Sequence, residues 1–321
     1  MDSIEAMEIE IRYQIDDLPN LILPGQTNLH NCVIVGAGDS YVAGLIAQYA
    51  SNHIAICCNP MEIVLNPAIL RNRRRIYIVS ISGNTKSNIL AAKISKKQNV
   101  PAIAITSKSE SKLGRICDEI IELRYKSTGI LTSGTISFTS SMLTCLSLVS
   151  KANNLDKLRS IYRQTNDEAE SLIDPTLEKL PSCIFIGEGI LFPIAIYGAL
   201  KISEVFGSKS YAYSFEEFCH SPIFSAKRND KIIILGAEQY GGTSGSRCNS
   251  KELNERLIKL SFSSAYIDCS ELSLPEILLK SVMFLQLYVV KQALKHGIKN
   301  CFFLQDKNLL NLSSSFIYDD M

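Results

Sequence analysis

Three hydroxyls and a glycine within six residues, Ser80-Ile-Ser-Gly-Asn-Thr85, form the densest chemical signal in this sequence. The segment follows an apolar run, Ile76 to Val79, that reads as a strand, and precedes a helical stretch that opens at Ser87. Such a loop sets Ser80, Ser82, Thr85, a flexible Gly83 and free backbone N–H groups at a helix N-terminus. Together these hold a phosphate monoester without a large positive charge. Capping by Ser82, Thr85 or Ser87 would need only one hydroxyl, so the ring of hydroxyls favours phosphate. The corresponding later turn, Gly236-Ala-Glu-Gln239, lacks hydroxyls and carries an acid. Only the first half is therefore equipped for phosphate.

Acid–base groups come from further along the chain. Tyr197, Lys201 and Glu204 stand four and three residues apart, hence on one helix face. Spacing alone reads Lys201 and Glu204 as a solvated ion pair. His220 lies in Phe215-Glu-Glu-Phe-Cys-His-Ser-Pro222, read as a polar loop ended by proline, and its position alone assigns it nothing. Two G-x-G segments, Gly36-Ala-Gly38 and Gly187-Glu-Gly189, invite a dinucleotide reading. Tyr41 and Phe192 stand where the third glycine should be, so the fingerprint is broken and a nicotinamide cofactor is rejected. A tight strand-to-helix turn explains these glycines.

The elements that must position these residues repeat. Strands are expected at Cys32 to Val35, Ile54 to Cys57, Ile76 to Val79, Ala102 to Ile105 and Glu119 to Leu123. Helices fall between them at Ser40 to Ala50, Ser87 to Lys97 and Thr135 to Ser150. Strands so apolar are covered on both faces, as in a doubly wound parallel α/β sheet. The second half offers strands at Cys183 to Ile186, Tyr211 to Tyr213, Ile232 to Leu235, Ala265 to Asp268 and Cys301 to Leu304. Its helices are read at Ile190 to Phe206, Glu252 to Leu260 and Pro275 to His296. Both halves open with a strand running into G-x-G and a helix, an internal duplication. The expected plan is a helical segment over residues 1–27, a phosphate-binding domain over 28–150, a mostly helical linker over 151–180 and a second domain with a tail over 181–321.

Composition narrows the setting. Hydrophobic residues make up 46% of the 321, enough for two cores. Lys and Arg total 33 against 32 acids, so no global field points to nucleic acid or an anionic membrane. No apolar run is read as reaching the roughly 20 residues of a membrane span, and the acidic N-terminus does not read as a signal peptide. The ten cysteines show no C-x-x-C pair or zinc spacing and read as buried apolar residues in a reducing cytoplasm, with no metal site.

These segments together resemble the sugar isomerase (SIS) family, above all its members in the isomerase half of glucosamine-6-phosphate synthase and single-chain archaeal relatives. Met7 to Gln14 resembles the segment opening that half, and Gly36 to Gly44 resembles the first substrate turn. Ser80 to Thr85 matches the S-x-S-G-x-T phosphate loop. Gly198-Ala-Leu-Lys-Ile-Ser-Glu204 resembles the helix bearing the base, and Glu216 to Pro222 the E-x-x-H-G-P segment. The sixteen-residue step from Glu204 to His220 equals the family's step from base to histidine.

The resemblance implies two tandem flavodoxin-like SIS domains and no cofactor. It implies phosphate held by Ser80, Ser82 and Thr85 in the loop with Gly83, and Ser40 on the sugar; Asp39 and Lys201 are read as further substrate-binding residues. Glu204 would shuttle a proton between C1 and C2, and His220, generally given by the partner subunit of a homodimer, would assist ring opening. An enediol route needs one carboxylate to take and return the proton, and an acid–base group near neutrality. The expected function is aldose–ketose isomerisation of a hexose 6-phosphate; the alternatives are glucosamine-6-phosphate deamination or a non-catalytic phosphosugar sensor. Departures from the family pattern bear on this choice. Ser314 replaces a tail lysine, Tyr197 a glutamate, and Asp39 a hydroxyl residue that would suit a substrate ammonium or cap the helix. With no cysteine near Met1, glutamine-driven amination is not expected.

Overall fold

Gly36 and Gly187 end their strands against the first turn of the following helix. A Cβ on Gly36 would stand 2.5 Å from the Ser40 carbonyl carbon, and one on Gly187 2.4 Å from the Leu191 carbonyl oxygen. Gly38 and Gly189 both take φ of 56°, a left-handed backbone that favours glycine. Two segments far apart in the chain thus make the same turn, as the tight-turn reading requires. The computed structural model describes residues 1–27, 32–152, 155–173, 182–237 and 249–318. Glu238 and Gln239 of the hydroxyl-free turn, and residues 153–154 and 174–180 of the expected linker, lie outside the described residues.

The chain opens with helix α1 (Ser3–Asp17). Strand β1 (Cys32–Val35), α2 (Asp39–Ala50), β2 (Ile56–Cys58), α3 (Pro60–Leu65), β3 (Arg75–Val79) and α4 (Lys86–Lys97) follow. Then come β4 (Ala102–Thr106), α5 (Lys112–Ile116), β5 (Glu119–Glu122), α6 (Ile136–Val149) and α7 (Leu158–Ser171). The remainder holds β6 (Cys183–Gly187), α8 (Phe192–Phe206), β7 (Ser210–Tyr213), α9 (Phe215–His220) and β8 (Lys231–Gly236). It ends in α10 (Ser250–Lys259), β9 (Ser263–Asp268), α11 (Leu274–Lys295), α12 (Phe302–Gln305) and α13 (Lys307–Ile317).

Two parallel sheets result, ordered β2-β1-β3-β4-β5 and β7-β6-β8-β9. By contacts the chain forms two units, each drawn from several stretches of sequence. One comprises Asp16–Ser127, Ile136–Asn154 and Asp306–Met321, and the other Met1–Ile15, Thr128–Thr135 and Leu155–Gln305. In the first-sheet unit Val33, Val35, Ile76, Ile78, Ala102 and Ala104 share one face with Ile63 of α3 and Ala91 and Ala92 of α4. Their neighbours along the strands, Ile34, Tyr77 and Ile103, are buried as well. Burial on both faces follows from helices lying on both sides of a parallel sheet. In the second-sheet unit Ile184, Ile186, Ile232 and Ile234 pack with Phe218 and Leu257, while Gly198 lets α8 close onto Phe185 and Leu285.

Three expectations are corrected. Cys301 to Leu304 is not a strand but leads into α12. The start of α1 claims this segment: the Cys301 N–H donates to Ser3 Oγ at 2.8 Å, and the Ile4 N–H to the Lys299 carbonyl at 3.1 Å. β2 begins two residues later than read, at Ile56. Among the described residues two helices do satisfy the length and composition of a membrane span, Gly189–Phe206 and Leu274–Lys295. The second is 89% buried over its most apolar window, and its capping box, Ser273 with Glu276, and its buried Lys280 paired to Glu168 at 2.9 Å mark it as a core helix.

Candidate functional site

In the first sheet β1 and β3 are neighbours, yet the crossovers after them lead to opposite edges. The C-terminal ends of two such strands border a crevice, the switch point at which ligands bind in open α/β sheets. The expected substrate residues follow those two ends. Asp39 and Ser40, both half-buried, begin α2 after β1. Ser80 to Thr85 joins β3 to α4.

The loop is shaped for its place. Gly83 has φ of 62°, and a Cβ there would stand 1.9 Å from Ser111 Oγ, so glycine alone fits. The Thr106 and Ser107 hydroxyls both donate to the Ile81 carbonyl, at 3.1 and 3.0 Å, and the Leu113 N–H donates to the Gly83 carbonyl at 2.9 Å. The loop carbonyls are thereby occupied from behind. Ser80 Oγ lies 3.4 Å from Thr85 Oγ1. Thr85 is the N-cap residue of α4 but its side chain makes no capping hydrogen bond. Its hydroxyl is therefore not used as a cap, and the twelve-residue helix directs its first N–H groups outward. Tyr318 of the tail forms an antiparallel backbone bridge to Thr85.

The second-sheet unit brings Tyr197, Lys201 and Glu204 together on α8. Lys201 is 1% exposed and its Nζ lies 2.6 Å from Glu204 Oε2, with the glutamate side chain 37% exposed. The ion pair is thus not the solvated one that spacing suggested: its cation is buried and its carboxylate reaches the surface. The Tyr197 ring lies under the ammonium at 5.1 Å, a further cation-stabilising contact. Ser133 Oγ also donates to Glu204 Oε2.

His220 ends helix α9 rather than sitting in a loop. Ser214 caps that helix through the Glu217 N–H at 3.4 Å, and Glu188 Oε2 accepts from the Phe215 N–H at 3.0 Å. The acid of the second G-x-G turn therefore fixes the start of the histidine's helix. His220 is 71% exposed, its Nε2 3.6 Å from Glu216 Oε1.

Sequence reasoning missed the segment 128–135. Its run of Thr128, Thr132, Ser133 and Thr135 with Gly129 and Gly134 is the same kind of hydroxyl-and-glycine signal that marks Ser80 to Thr85. Glu10 of α1, 4% exposed, accepts from the Thr128 N–H at 3.1 Å and from the hydroxyls of Thr128, Thr132 and Thr135 at 3.0, 3.3 and 2.8 Å. Tyr197 donates its hydroxyl to the Gly134 carbonyl at 2.7 Å. Gln286 Nε2 reaches the Thr135 carbonyl at 3.2 Å and the Tyr197 oxygen at 3.0 Å. Burial pushes the Cys301 thiol up; hydrogen bonds to Ser3 and the Ser133 backbone oppose this, and the Glu204 charge adds to the rise.

Comparison with known proteins agrees with this arrangement. Residues 27–151 match the SIS domain family. An isomerising glutamine–fructose-6-phosphate aminotransferase of Sulfurisphaera tokodaii is 27% identical over 230 residues, covering 68% of this chain and 38% of that protein. One from Buchnera aphidicola is 28% identical over 232 residues, covering 63% and 37%. The chain thus spans less than two fifths of these relatives. Among solved structures, glucosamine-6-phosphate deaminase of Thermotoga maritima superposes with a TM-score of 0.69 at 21% identity, over 92% of this chain and 94% of that one. Tagatose-6-phosphate ketose/aldose isomerase of Escherichia coli gives 0.65 at 17%, over 92% of this chain and 90% of that one. Residues 27–151, which hold the first sheet and its switch point, thus resemble a SIS domain, and the chain is similar in sequence to the isomerising aminotransferases.

Proposed function

We propose that this protein is an aldose–ketose isomerase of a hexose 6-phosphate, interconverting glucose or mannose 6-phosphate with fructose 6-phosphate. One observation carries the reading: a surface-reaching carboxylate, Glu204, held by a buried lysine at 2.6 Å in a chain whose residues 27–151 match the SIS domain. The second sheet is, in this reading, a second SIS domain, supported by the repeated turn and by the shared start of the strand order. Ser80, Ser82, Gly83 and Thr85 hold the phosphate, and Asp39 and Ser40 face the sugar. Glu204 removes the C2 proton of the open-chain aldose, leaving a cis-enediol, and returns it to C1. His220 moves the proton between ring and hydroxyl oxygens during ring opening, as part of a cytoplasmic homodimer in which each chain completes the other's site. The phosphate supplies binding energy remote from the reacting carbons, which orients the opened chain.

A second reading, glucosamine-6-phosphate deamination, is favoured by the half-buried Asp39 carboxylate in the first turn of α2, which suits a substrate ammonium. It shares the proton transfer and then expels ammonia from C2. A pure sensor would need no oriented base. Purified protein is incubated in heavy water with fructose 6-phosphate and, separately, with glucosamine 6-phosphate, and substrate deuteration and free ammonia are followed. Deuterium at C1 or C2 without ammonia supports the isomerase, ammonia supports the deaminase, and no exchange with any hexose 6-phosphate overturns both.

A further inference from the structure

We infer that Ser133 is a positioning residue for Glu204, and that Glu10 sets Ser133 by pinning the loop that carries it. The inference rests on the reading of Glu204 as the base.

The loop 128–135 has no regular structure and contains two glycines, so its backbone would sample many conformations if left untied. It is tied at three side chains. Glu10 receives four hydrogen bonds, from Thr128 twice and from Thr132 and Thr135 once each. A carboxylate is an acceptor-only group, and the loop engages both oxygens of this one, two hydrogen bonds to each. The carbonyls of Gly134 and Thr135 are tied by Tyr197 and Gln286, and Gln286 is itself steadied by Gln14 of α1 at 2.6 Å.

Ser133 sits between these anchors, 1% exposed, and its hydroxyl donates to Glu204 Oε2. Lys201 donates to that same oxygen. Two donors from different elements meet one oxygen, which fixes the plane of the carboxylate and leaves Oε1 as the atom to accept the substrate proton. A base rotated or displaced by about 1 Å can lose roughly a hundredfold in rate. The packing around Glu10, far from Glu204 in sequence, therefore governs the orientation of the base. It also gives Tyr197 a role without substrate contact: its hydroxyl steadies the loop.

The test uses Ser133→Ala, Ser133→Thr, Glu10→Gln and the double variant Ser133→Ala/Glu10→Gln. Losing a hydrogen-bond donor changes the surroundings of a carboxylate oxygen. The Glu204 carboxyl carbon, followed by carbon-13 NMR at pH 7 and assigned by its absence in Glu204→Gln, should change its resonance position in Ser133→Ala and keep the wild-type position in Ser133→Thr. With fructose 6-phosphate, kcat for deuterium exchange should fall about ten- to a hundredfold in Ser133→Ala with KM unchanged, and Thr should restore it. Glu10→Gln should move the Glu204 resonance in the same direction, and the double variant should add nothing, because one acts through the other. An unmoved Glu204 resonance in Ser133→Ala overturns the inference, as does full additivity in the double variant. If Glu10→Gln does not fold, the Ser133 pair alone decides. A wild type that exchanges no hydrogen with any hexose 6-phosphate removes the functional reading, while the resonance still decides the positioning claim.

Discussion

Lys201 Nζ lies 2.6 Å from Glu204 Oε2, with the lysine buried and the glutamate side chain 37% exposed. A buried ammonium needs its counter-charge, so the pair is held from the lysine side and presents its carboxylate outward.

Glu204→Gln keeps the size and some of the hydrogen bonding but removes the base. Turnover should fall about 100- to 10,000-fold, the usual worth of general-base catalysis. Sugar-phosphate affinity should persist, and deuterium exchange at C1 or C2 should vanish. Circular dichroism checks that the fold survives the loss of the Lys201 counter-charge. Normal exchange in this variant would move the base elsewhere, with Glu216 and Glu217 next to test.

Replacing Ser82 or Thr85 with leucine should raise KM strongly and leave kcat nearer its wild-type value, because in the proposed reading the loop binds the phosphate rather than reacting. Calorimetry with fructose 6-phosphate reads this directly. Unchanged affinity would remove the phosphate from this loop.

His220, exposed on its own chain, is expected to serve the neighbouring subunit's site. Specific activity should then fall on dilution. Glu204→Gln and His220→Asn chains, each inactive, should regain activity when mixed, because one site of a mixed dimer has both groups intact. An active monomer by light scattering would end this idea.

Gly36→Ala forces a Cβ to within 2.5 Å of the Ser40 backbone, and Gly187→Ala to within 2.4 Å of Leu191. Backbone atoms cannot turn aside as a side chain can, so each should cost about 1–3 kcal/mol, as overpacking does. Urea midpoints at constant slope measure it.

Burial pushes the Cys145 and Cys183 thiols up to about 12. An unfolded thiol ionises near ~8.5. Stability is therefore complete below that pH and is lost as pH rises toward 12, because only the unfolded chain releases the proton. At pH 10 each such thiol should cost about 2 kcal/mol relative to pH 8. Urea unfolding at both pH values checks this, and Cys145→Ala should flatten the dependence. At neutral pH the exposed Cys219 should be alkylated well before the buried thiols.

Local chemistry was legible in the residues themselves. The inner first-sheet strands β1, β3 and β4 match their apolar runs to within about two residues, because a strand buried on both faces must be continuously apolar. The turns at Gly36 and Gly187 were legible because only glycine tolerates their close approach. The three hydroxyls of Ser80 to Thr85 were legible because they fall within six residues. Tertiary structure decided what depends on distant partners. Phe302 and Phe303 look like strand residues, but they lie in α12, and the segment just before them is bonded to the start of α1, Cys301 to Ser3 and Lys299 to Ile4. Leu274–Lys295 has a membrane helix's composition, yet Lys280 and Glu276 are matched inside a protein core. Lys201 could be placed beside Glu204 from spacing, but its burial could not, since that depends on packing around α8. Glu10 and Ser133 were beyond sequence reading because their hydrogen bonds span 118 to 125 residues and 71 residues. Pairings at that separation leave no periodic trace in a single chain, and only the folded backbone brings them within reach.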